Sequence, residues 1–187
     1  MTPNCSLKKG VMDNLRNHSS ASFCCEFVGL IEDMIQKGDD NSRILAEDIL
    51  KGRLKHDLFN LYMVKPVRVQ QQILKLFVML VETSSANFIM KVIEEDEIFV
   101  MFFLNNLNDD TSSSTQIKVI EILYMLLEKD RDMKPIMHGK KVVSVMKDYF
   151  RDQEVSDALE RLQNSQNKDV ACLTHNLIIE FLDYFEE

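Results

Sequence analysis

Glycine and proline are scarce in this chain of 187 residues, with five and three copies. Together they make up about 4% of the residues, whereas average usage gives roughly 12%. Tight β-hairpin turns depend on glycine for a positive φ and on proline for a preset φ. The scarcity of both residues therefore argues against a β-sandwich or a β-barrel.

Tryptophan is absent, cysteine occurs four times, and no apolar run is long. No Cys-x-x-Cys pair occurs among the cysteines, which are Cys5, Cys24, Cys25 and Cys172. We therefore predict no metal site, and we also expect no other cofactor. The longest apolar stretch, residues 73–81, includes a lysine and falls well short of the roughly 20 residues of a membrane-spanning helix. No apolar signal segment opens the chain. We expect a cytoplasmic or nuclear protein without a membrane span.

Basic residues are outnumbered by acidic ones, 22 to 30, which gives a net charge of −8. The excess is uneven, because residues 1–93 hold 12 basic and 10 acidic side chains, while residues 94–187 hold 10 and 20. Affinity for nucleic acid comes chiefly from lysine and arginine, so nucleic acid is not expected as the main ligand. The acidic second half instead predicts a protein partner that carries a basic segment.

Apolar residues recur at helical spacing from about residue 21 onward. Residues 1–20 are polar and aperiodic, which predicts a flexible lead-in. The first helix is predicted to end at Gly38 and to bury a stripe made of Phe23, Phe27, Leu30, Ile31, Met34 and Ile35. Two shorter helices should follow, and Pro66 should begin a long helix over about 67–82.

The second half of the chain continues this pattern. Residues 98–104 are seven consecutive apolar residues, which we interpret as a helix buried on most sides. Further helices are predicted around residues 87–93, 117–127, 155–162 and 170–185.

An internal repeat connects the long helices. Residues 77–82 match residues 123–128 at an offset of 46, and residues 119–123 are similar to residues 178–182 at an offset of 59. Each unit contains a short helix, a strongly apolar helix, a polar loop and a long amphipathic helix. Units of roughly 40–47 residues with two or three helices are typical of HEAT and armadillo solenoids.

Residues 86–130 resemble an armadillo repeat. Its three helices would be residues 87–95, 98–107 and 115–127, and residues 133–143 are similar to the opening of the next repeat. The resemblance implies an all-α fold, namely a right-handed armadillo-like α-solenoid of about three degenerate repeats with an N-terminal capping helix. This single domain would cover residues 21–187. The alternative fold is a plain helical bundle.

Catalytic patterns find no support in the sequence. His18, His56, His138 and His175 are far apart and form no His-x-x-x-His or His-Glu-x-x-His pair. The sequence also has no P-loop and no Gly-x-Gly-x-x-Gly motif. We therefore predict a protein that is not an enzyme.

The resemblance also implies a binding site, because armadillo solenoids line their concave groove with their third helices. The predicted partner-binding residues are the polar stripes of the three long helices: Arg68, Gln72, Lys75 and Met79; Lys118, Glu121, Met125 and Glu128; and Asn176, Glu180 and Asp183. The alternative interpretation is that these stripes are ordinary solvated faces. Importin-like armadillo proteins use tryptophan and asparagine ladders that are missing here, so a nuclear import receptor is not expected.

The predicted function is that of a non-enzymatic interaction domain, an adaptor or scaffold that holds a peptide or helix of a partner protein. A homodimer through the end helix is a second route, because no polar capping helix follows the apolar Phe181, Leu182, Tyr184 and Phe185. The alternatives are that the chain is a fragment of a longer protein or that these apolar residues all face inward. The alternative function is a regulatory or autoinhibitory domain of a larger cytoskeletal or signalling protein, similar to the armadillo-like inhibitory region of formins.

Overall fold

The computed structural model describes residues 20–108, 111–133, 145–181 and 184. These residues form helices and connecting turns, and no strand occurs among them. The helices of the described ranges are α1 (Ala21–Ile35), α2 (Asp40–Lys51), α3 (Arg53–Val64), α4 (Val67–Thr83), α5 (Ala86–Glu95), α6 (Glu97–Leu104), α7 (Ser113–Met133), α8 (Val145–Phe150), α9 (Gln153–Gln163) and α10 (Lys168–Glu180). The predicted all-α class is thereby confirmed, whereas the armadillo-like solenoid stays a prediction.

The turn between α1 and α2 shows how local chemistry sets the helix ends. Gly38 has a φ of +68°, a left-handed conformation that favours glycine. Asp39 then caps α2, because its Oδ1 accepts a hydrogen bond from the backbone N of Ser42 at 2.8 Å. This bond, together with a second one from the Ser42 hydroxyl, holds the pKa of Asp39 below its ordinary value.

The chain divides into two compact units between Thr83 and Ser84. Unit 1 contains α1 to α4, and unit 2 contains α5 to α10. The single domain predicted over residues 21–187 stays a prediction.

Helix α4 is the centre of unit 1, where it packs against α1, α2 and α3. The buried residues of α4 extend over about 160° of the helix surface at about 100° per residue, from Leu76 through Ile73 to Leu74, as expected for a helix with neighbours on more than one side. Phe77 stacks on Phe59 of α3 with 5.0 Å between the ring centroids. Aromatic stacking and aliphatic burial together therefore hold the unit.

Helix α7 has the same central position in unit 2, where it packs against α5, α6, α8 and α10. Phe99 and Phe103 of α6 meet edge to face at 5.4 Å, and both are fully buried. Near the end of α7, Lys129 Nζ donates a hydrogen bond of 2.8 Å to the carbonyl of Ser84, the first residue of the unit.

Two predicted burial patterns differ from the structure. In α1 the residues facing the core are Cys24, Val28, Ile31 and Ile35, whereas Phe23, Leu30 and Met34 of the predicted stripe are exposed. In α6 Ile98 is exposed as well, so this helix also has a solvent side. Both helices carry more apolar residues than their neighbours cover, and spacing alone does not tell which apolar face is covered.

Helix α10 ends at Glu180, earlier than the predicted residue 185. Phe181 and Tyr184 beyond it are buried, and the Tyr184 hydroxyl donates a hydrogen bond of 2.7 Å to Asp130 Oδ2. Residues 1–19 of the lead-in predicted over 1–20, and most of the predicted repeat opening at 133–143, lie outside the described residues. No helix in the described part of the chain is long and apolar enough to cross a membrane.

Candidate functional site: an acidic cavity in unit 2

The predicted binding residues of α4 lie on its partly exposed side, and two of them have a partner within unit 1. Gln72 Nε2 donates a hydrogen bond of 2.7 Å to Glu32 Oε2 of α1, and Lys75 Nζ lies 2.9 Å from the same oxygen. Arg68 is exposed and Met79 is partly exposed. Gln72 and Lys75 therefore connect α4 to α1, which limits their availability to a partner protein.

Glu32 was missed by the sequence analysis, although it explains the positions of both residues. Only 5% of its surface is exposed, and its Oε1 atom has no hydrogen-bond partner within the described residues. A buried carboxylate is costly unless it is paired. The Gln72 and Lys75 contacts reduce this cost, so they have a structural role in unit 1.

The predicted residues of α7 also form pairs along their own helix. Lys118 Nζ lies 2.7 Å from Glu121 Oε2, and Arg131 lies 3.7 Å from Glu128 Oε1. These side chains are partly exposed, so each pair contributes only modestly to stability. Met125 is partly exposed on the same helix.

Glu180 of α10 is the centre of a cluster that joins α10 to α7. It accepts a hydrogen bond from the Tyr124 hydroxyl and another, of 3.1 Å, from Arg131. The Tyr124 bond, followed by the Arg131 bond, lowers the pKa of Glu180. In return, the hydrogen bond to Glu180 is the main cause that raises the pKa of Tyr124 to about 12.

Phe181 completes this cluster beneath the charged groups. The Arg131 guanidinium lies 4.9 Å from the centre of the Phe181 ring, and Tyr124 meets the ring edge to face at 5.2 Å. Glu180 thus fastens the end of α10 to α7. The two other predicted residues of this stripe differ, since Asn176 is exposed and Asp183 lies outside the described residues.

A cavity of about 620 Å³ lies elsewhere in unit 2, between α6, α8 and α9. Its apolar wall comes from both α6 and α9. Acidic residues from three separate chain segments line the same cavity. The lining consists of Met101, Leu104, Leu107, Val155 and Ala158 as apolar residues, Glu97, Asp148, Asp152 and Glu154 as acidic residues, and Asn105, Asn108, Tyr149 and Arg161.

Local hydrogen bonds hold two edges of the cavity in place. Asp152 caps α9 by accepting a hydrogen bond of 2.8 Å from the backbone N of Glu154. In the turn after α6, Asn108 Nδ2 donates to the carbonyl of Asn105 at 2.9 Å, and the Asn108 carbonyl accepts from Gln116 Nε2 at 3.0 Å. The turn after α6 is therefore attached to the first part of α7.

Acidic side chains outnumber basic ones in the lining of the cavity. Burial is the first cause of the raised pKa of Tyr149, and the negative charges of Glu97, Asp96 and Asp148 raise it further. Among the described residues, Glu97, Asp148 and Glu154 form no ion pair. Four acidic side chains against one arginine thus favour a cationic ligand group.

Sequence reasoning did not find this cavity, although one signal pointed toward it. Residues 94–187 carry 20 acidic side chains, which predicted an acidic surface somewhere in the second half. Which carboxylates come together depends on how α6, α8 and α9 pack, and charge counting does not give that packing.

Within the described ranges, no three His, Cys, Asp or Glu side chains are arranged to hold a metal ion. Among the described residues, Cys24, Cys25 and Cys172 form no disulfide, and burial raises the pKa of Cys24.

Comparison with known proteins gives no relative: no family model matches the chain, and neither a curated protein nor a solved structure shows significant similarity to it.

Proposed function

We propose that this chain is a non-enzymatic interaction domain that receives a basic segment of a partner protein in the acidic cavity of unit 2. The observation that carries the proposal is the convergence of Glu97, Asp148, Asp152 and Glu154 around an apolar wall. Such a site offers carboxylates to lysine or arginine and apolar surface to a neighbouring side chain.

The size of the cavity limits what enters it. A volume of about 620 Å³ lies in the range of small-ligand pockets, and it suits a few side chains better than a whole folded surface. We therefore infer that the partner inserts one or two basic side chains next to an apolar one, as part of a short extended or helical segment.

The armadillo-like solenoid is the architecture that we propose for this function. Helices α5, α6 and α7 pack against one another in the order short, apolar and long, as one repeat requires. The groove stripes are the less favoured site, because Gln72, Lys75 and Glu180 already bind within their own units. A dimer through the end helix is less favoured too, since Phe181 and Tyr184 are buried.

The proposal can be tested by selecting random peptides of about 12 residues on the full-length protein. We expect enriched peptides to combine lysine or arginine with a neighbouring apolar residue. Their affinity should fall at least about tenfold in a variant with Glu97→Gln, Asp148→Asn and Glu154→Gln, because the cationic group loses its partners.

The matched control removes the same charge outside the cavity, through Glu94→Gln, Glu95→Gln and Asp132→Asn. These three residues are exposed and do not line the cavity. The control should keep the affinity of the enriched peptides. Enriched peptides without basic residues, or equal binding by both triple variants, would contradict the proposal.

A further inference from the structure

Helix α1 of unit 1 has a second apolar face that residues 20–83, the described part of the unit, leave exposed. Phe23, Leu30 and Met34 are 48%, 64% and 53% exposed, and Phe27 between them is partly exposed. The core-facing residues of the same helix form a different stripe, which begins at Cys24. At about 100° per residue, the two stripes point roughly 100° apart around the helix axis.

The exposed residues have the spacing of a coiled-coil seam. Phe23, Phe27, Leu30 and Met34 are separated by four, three and four residues, which is the alternation of d and a positions in two heptads. At about 1.5 Å per residue, the seam is roughly 16 Å long, or three helical turns. A single helix of similar length would cover it. We refer to these four residues as the α1 seam.

Two acidic residues border the α1 seam on the side away from the core. Glu26 and Asp33 occupy the g positions that precede Phe27 and Met34, and both are exposed. Residues at g positions lie beside the flank of a partner helix and determine which partner is accepted. A helix with lysine or arginine on that flank matches the pair, whereas an acidic flank is repelled.

From this combination we infer that the α1 seam is a docking site for an amphipathic helix of another protein, with apolar a and d residues and a basic flank. The site lies in unit 1 and is independent of the unit 2 cavity. A second copy of the chain fits less well, because antiparallel pairing of two α1 seams would place Glu26 and Asp33 of both copies side by side.

The experiment uses the full-length chain and two synthetic helices of about 18 residues with leucine at every a and d position. One helix has lysine at its e and g positions, and the other has glutamate there. Fluorescence anisotropy should show that the lysine helix binds at least about tenfold more tightly. Equal affinity for the two helices, or no binding of the lysine helix, would overturn the proposal.

Variants locate the binding site on the protein. Leu30→Lys should weaken binding of the lysine helix at least about tenfold, because it places a charge within the apolar seam. Ile44→Lys is the matched control, since Ile44 of α2 is 55% exposed in the same unit but lies outside the seam. The pair Glu26→Lys and Asp33→Lys should reverse the preference in favour of the glutamate helix. Equal effects of Leu30→Lys and Ile44→Lys would contradict the seam.

Two further measurements test other occupants. Sedimentation velocity should show that the chain does not dimerise through the α1 seam. A dimer that the Leu30→Lys substitution dissociates would assign the seam to a second copy and overturn the proposal. A synthetic peptide of residues 1–19 should not displace the lysine helix, because displacement would assign the seam to the chain itself. Because the cavity also accepts basic segments, the lysine helix is measured in the triple cavity variant as well. That variant should still bind the lysine helix, and Leu30→Lys should weaken this binding at least about tenfold. A lysine helix that no longer binds the triple cavity variant would belong to the cavity and overturn the seam.

Discussion

Lys75 Nζ of α4 lies 2.9 Å from Glu32 Oε2 of α1, and the two side chains differ sharply in exposure. The Lys75 side chain is 56% exposed, whereas the Glu32 side chain is 6% exposed. Loss of the contact therefore costs free energy mainly at Glu32, whose buried charge would have no lysine beside it, whereas the exposed Lys75 would be hydrated by solvent.

This asymmetry leads to a prediction for unit 1. Lys75→Met should lower the free energy of unfolding by about 1 kcal/mol, because the substitution leaves the buried Glu32 charge less compensated. This value takes into account that solvent screens the exposed lysine. Adding Glu32→Leu should recover most of the loss, since a buried pair can often be replaced by apolar residues without penalty. Urea denaturation of both variants measures the two effects.

The control for this prediction is Lys91→Met. Lys91 pairs with Glu95 at 3.7 Å, and both side chains are mostly exposed. Its loss should change stability by less than about 0.5 kcal/mol. Equal effects of Lys75→Met and Lys91→Met would show that the burial of Glu32 does not matter.

The bond between Tyr124 and Glu180 predicts a pH-dependent stability in unit 2. Glu180 has a pKa below its ordinary value of 4.5, so its contribution is present above pH 4.5 and is lost as the pH falls through the lowered pKa. The pKa of Tyr124 is raised from 10.0 to about 12, so its contribution is complete below pH 10 and is lost as the pH rises toward 12. Tyr124→Phe should therefore destabilise the protein most between about pH 5 and 10.

Spectroscopic titration tests this bond directly. The difference in tyrosinate absorbance between wild type and Tyr124→Phe should show ionisation at about pH 12. Glu180→Gln should move this ionisation toward pH 10, because the acceptor charge is removed. If the difference between wild type and Tyr124→Phe instead shows an ionisation near pH 10, the hydrogen bond from Tyr124 to Glu180 does not form in solution.

Two neighbouring residues of α6 should differ strongly in their contribution to stability. Phe99 is fully buried against Phe103, whereas its neighbour Ile98 is 61% exposed. Phe99→Ala should cost about 3–5 kcal/mol, and Ile98→Ala should change stability by less than about 1 kcal/mol. Thermal and urea unfolding of the two variants give the comparison, and similar losses would mean that α6 is covered on both sides.

Two glycines of unit 1 provide a matched pair with opposite expected signs. Gly29 lies within α1 and has open space around it, so Gly29→Ala should stabilise the protein by about 0.5–1 kcal/mol. Gly38 has a φ of +68°, so Gly38→Ala should destabilise the protein by about 1 kcal/mol. Denaturation midpoints measure both changes. If both substitutions stabilise the protein, the backbone of Gly38 does not adopt the left-handed conformation in solution.

Much of the helix pattern could be predicted from the sequence, because local signals fix helix ends. The helix predicted over residues 67–82 is α4 (Val67–Thr83), and Pro66 precedes it as expected. The buried face of α1 was predicted less well. Its two adjacent apolar stripes have the same helical spacing, so only packing against α4 decides that Val28 and not Leu30 enters the core.

The candidate site was harder to predict, because it depends on residues that are distant in sequence. Glu97 and Glu154 line one cavity although 57 positions separate them. Glu180, by contrast, was predicted from its place in a polar stripe, but the stripe did not reveal that Tyr124 and Arg131 bind it. Helical spacing identifies an outward face without identifying the neighbours of that face.

The hydrogen bond from Lys129 to the Ser84 carbonyl affects how the chain can be cut into separately expressed pieces. Ser84 is buried, and its carbonyl accepts the Lys129 ammonium at 2.8 Å. A fragment of unit 2 that starts at Ala86 would lose this acceptor and leave Lys129 beside a newly exposed chain end with its own positive charge. A fragment that keeps Ser84 and one or two preceding residues retains the carbonyl acceptor and holds the terminal amine away from Lys129. Separate expression of unit 2 should therefore succeed when the fragment begins one or two residues before Ser84.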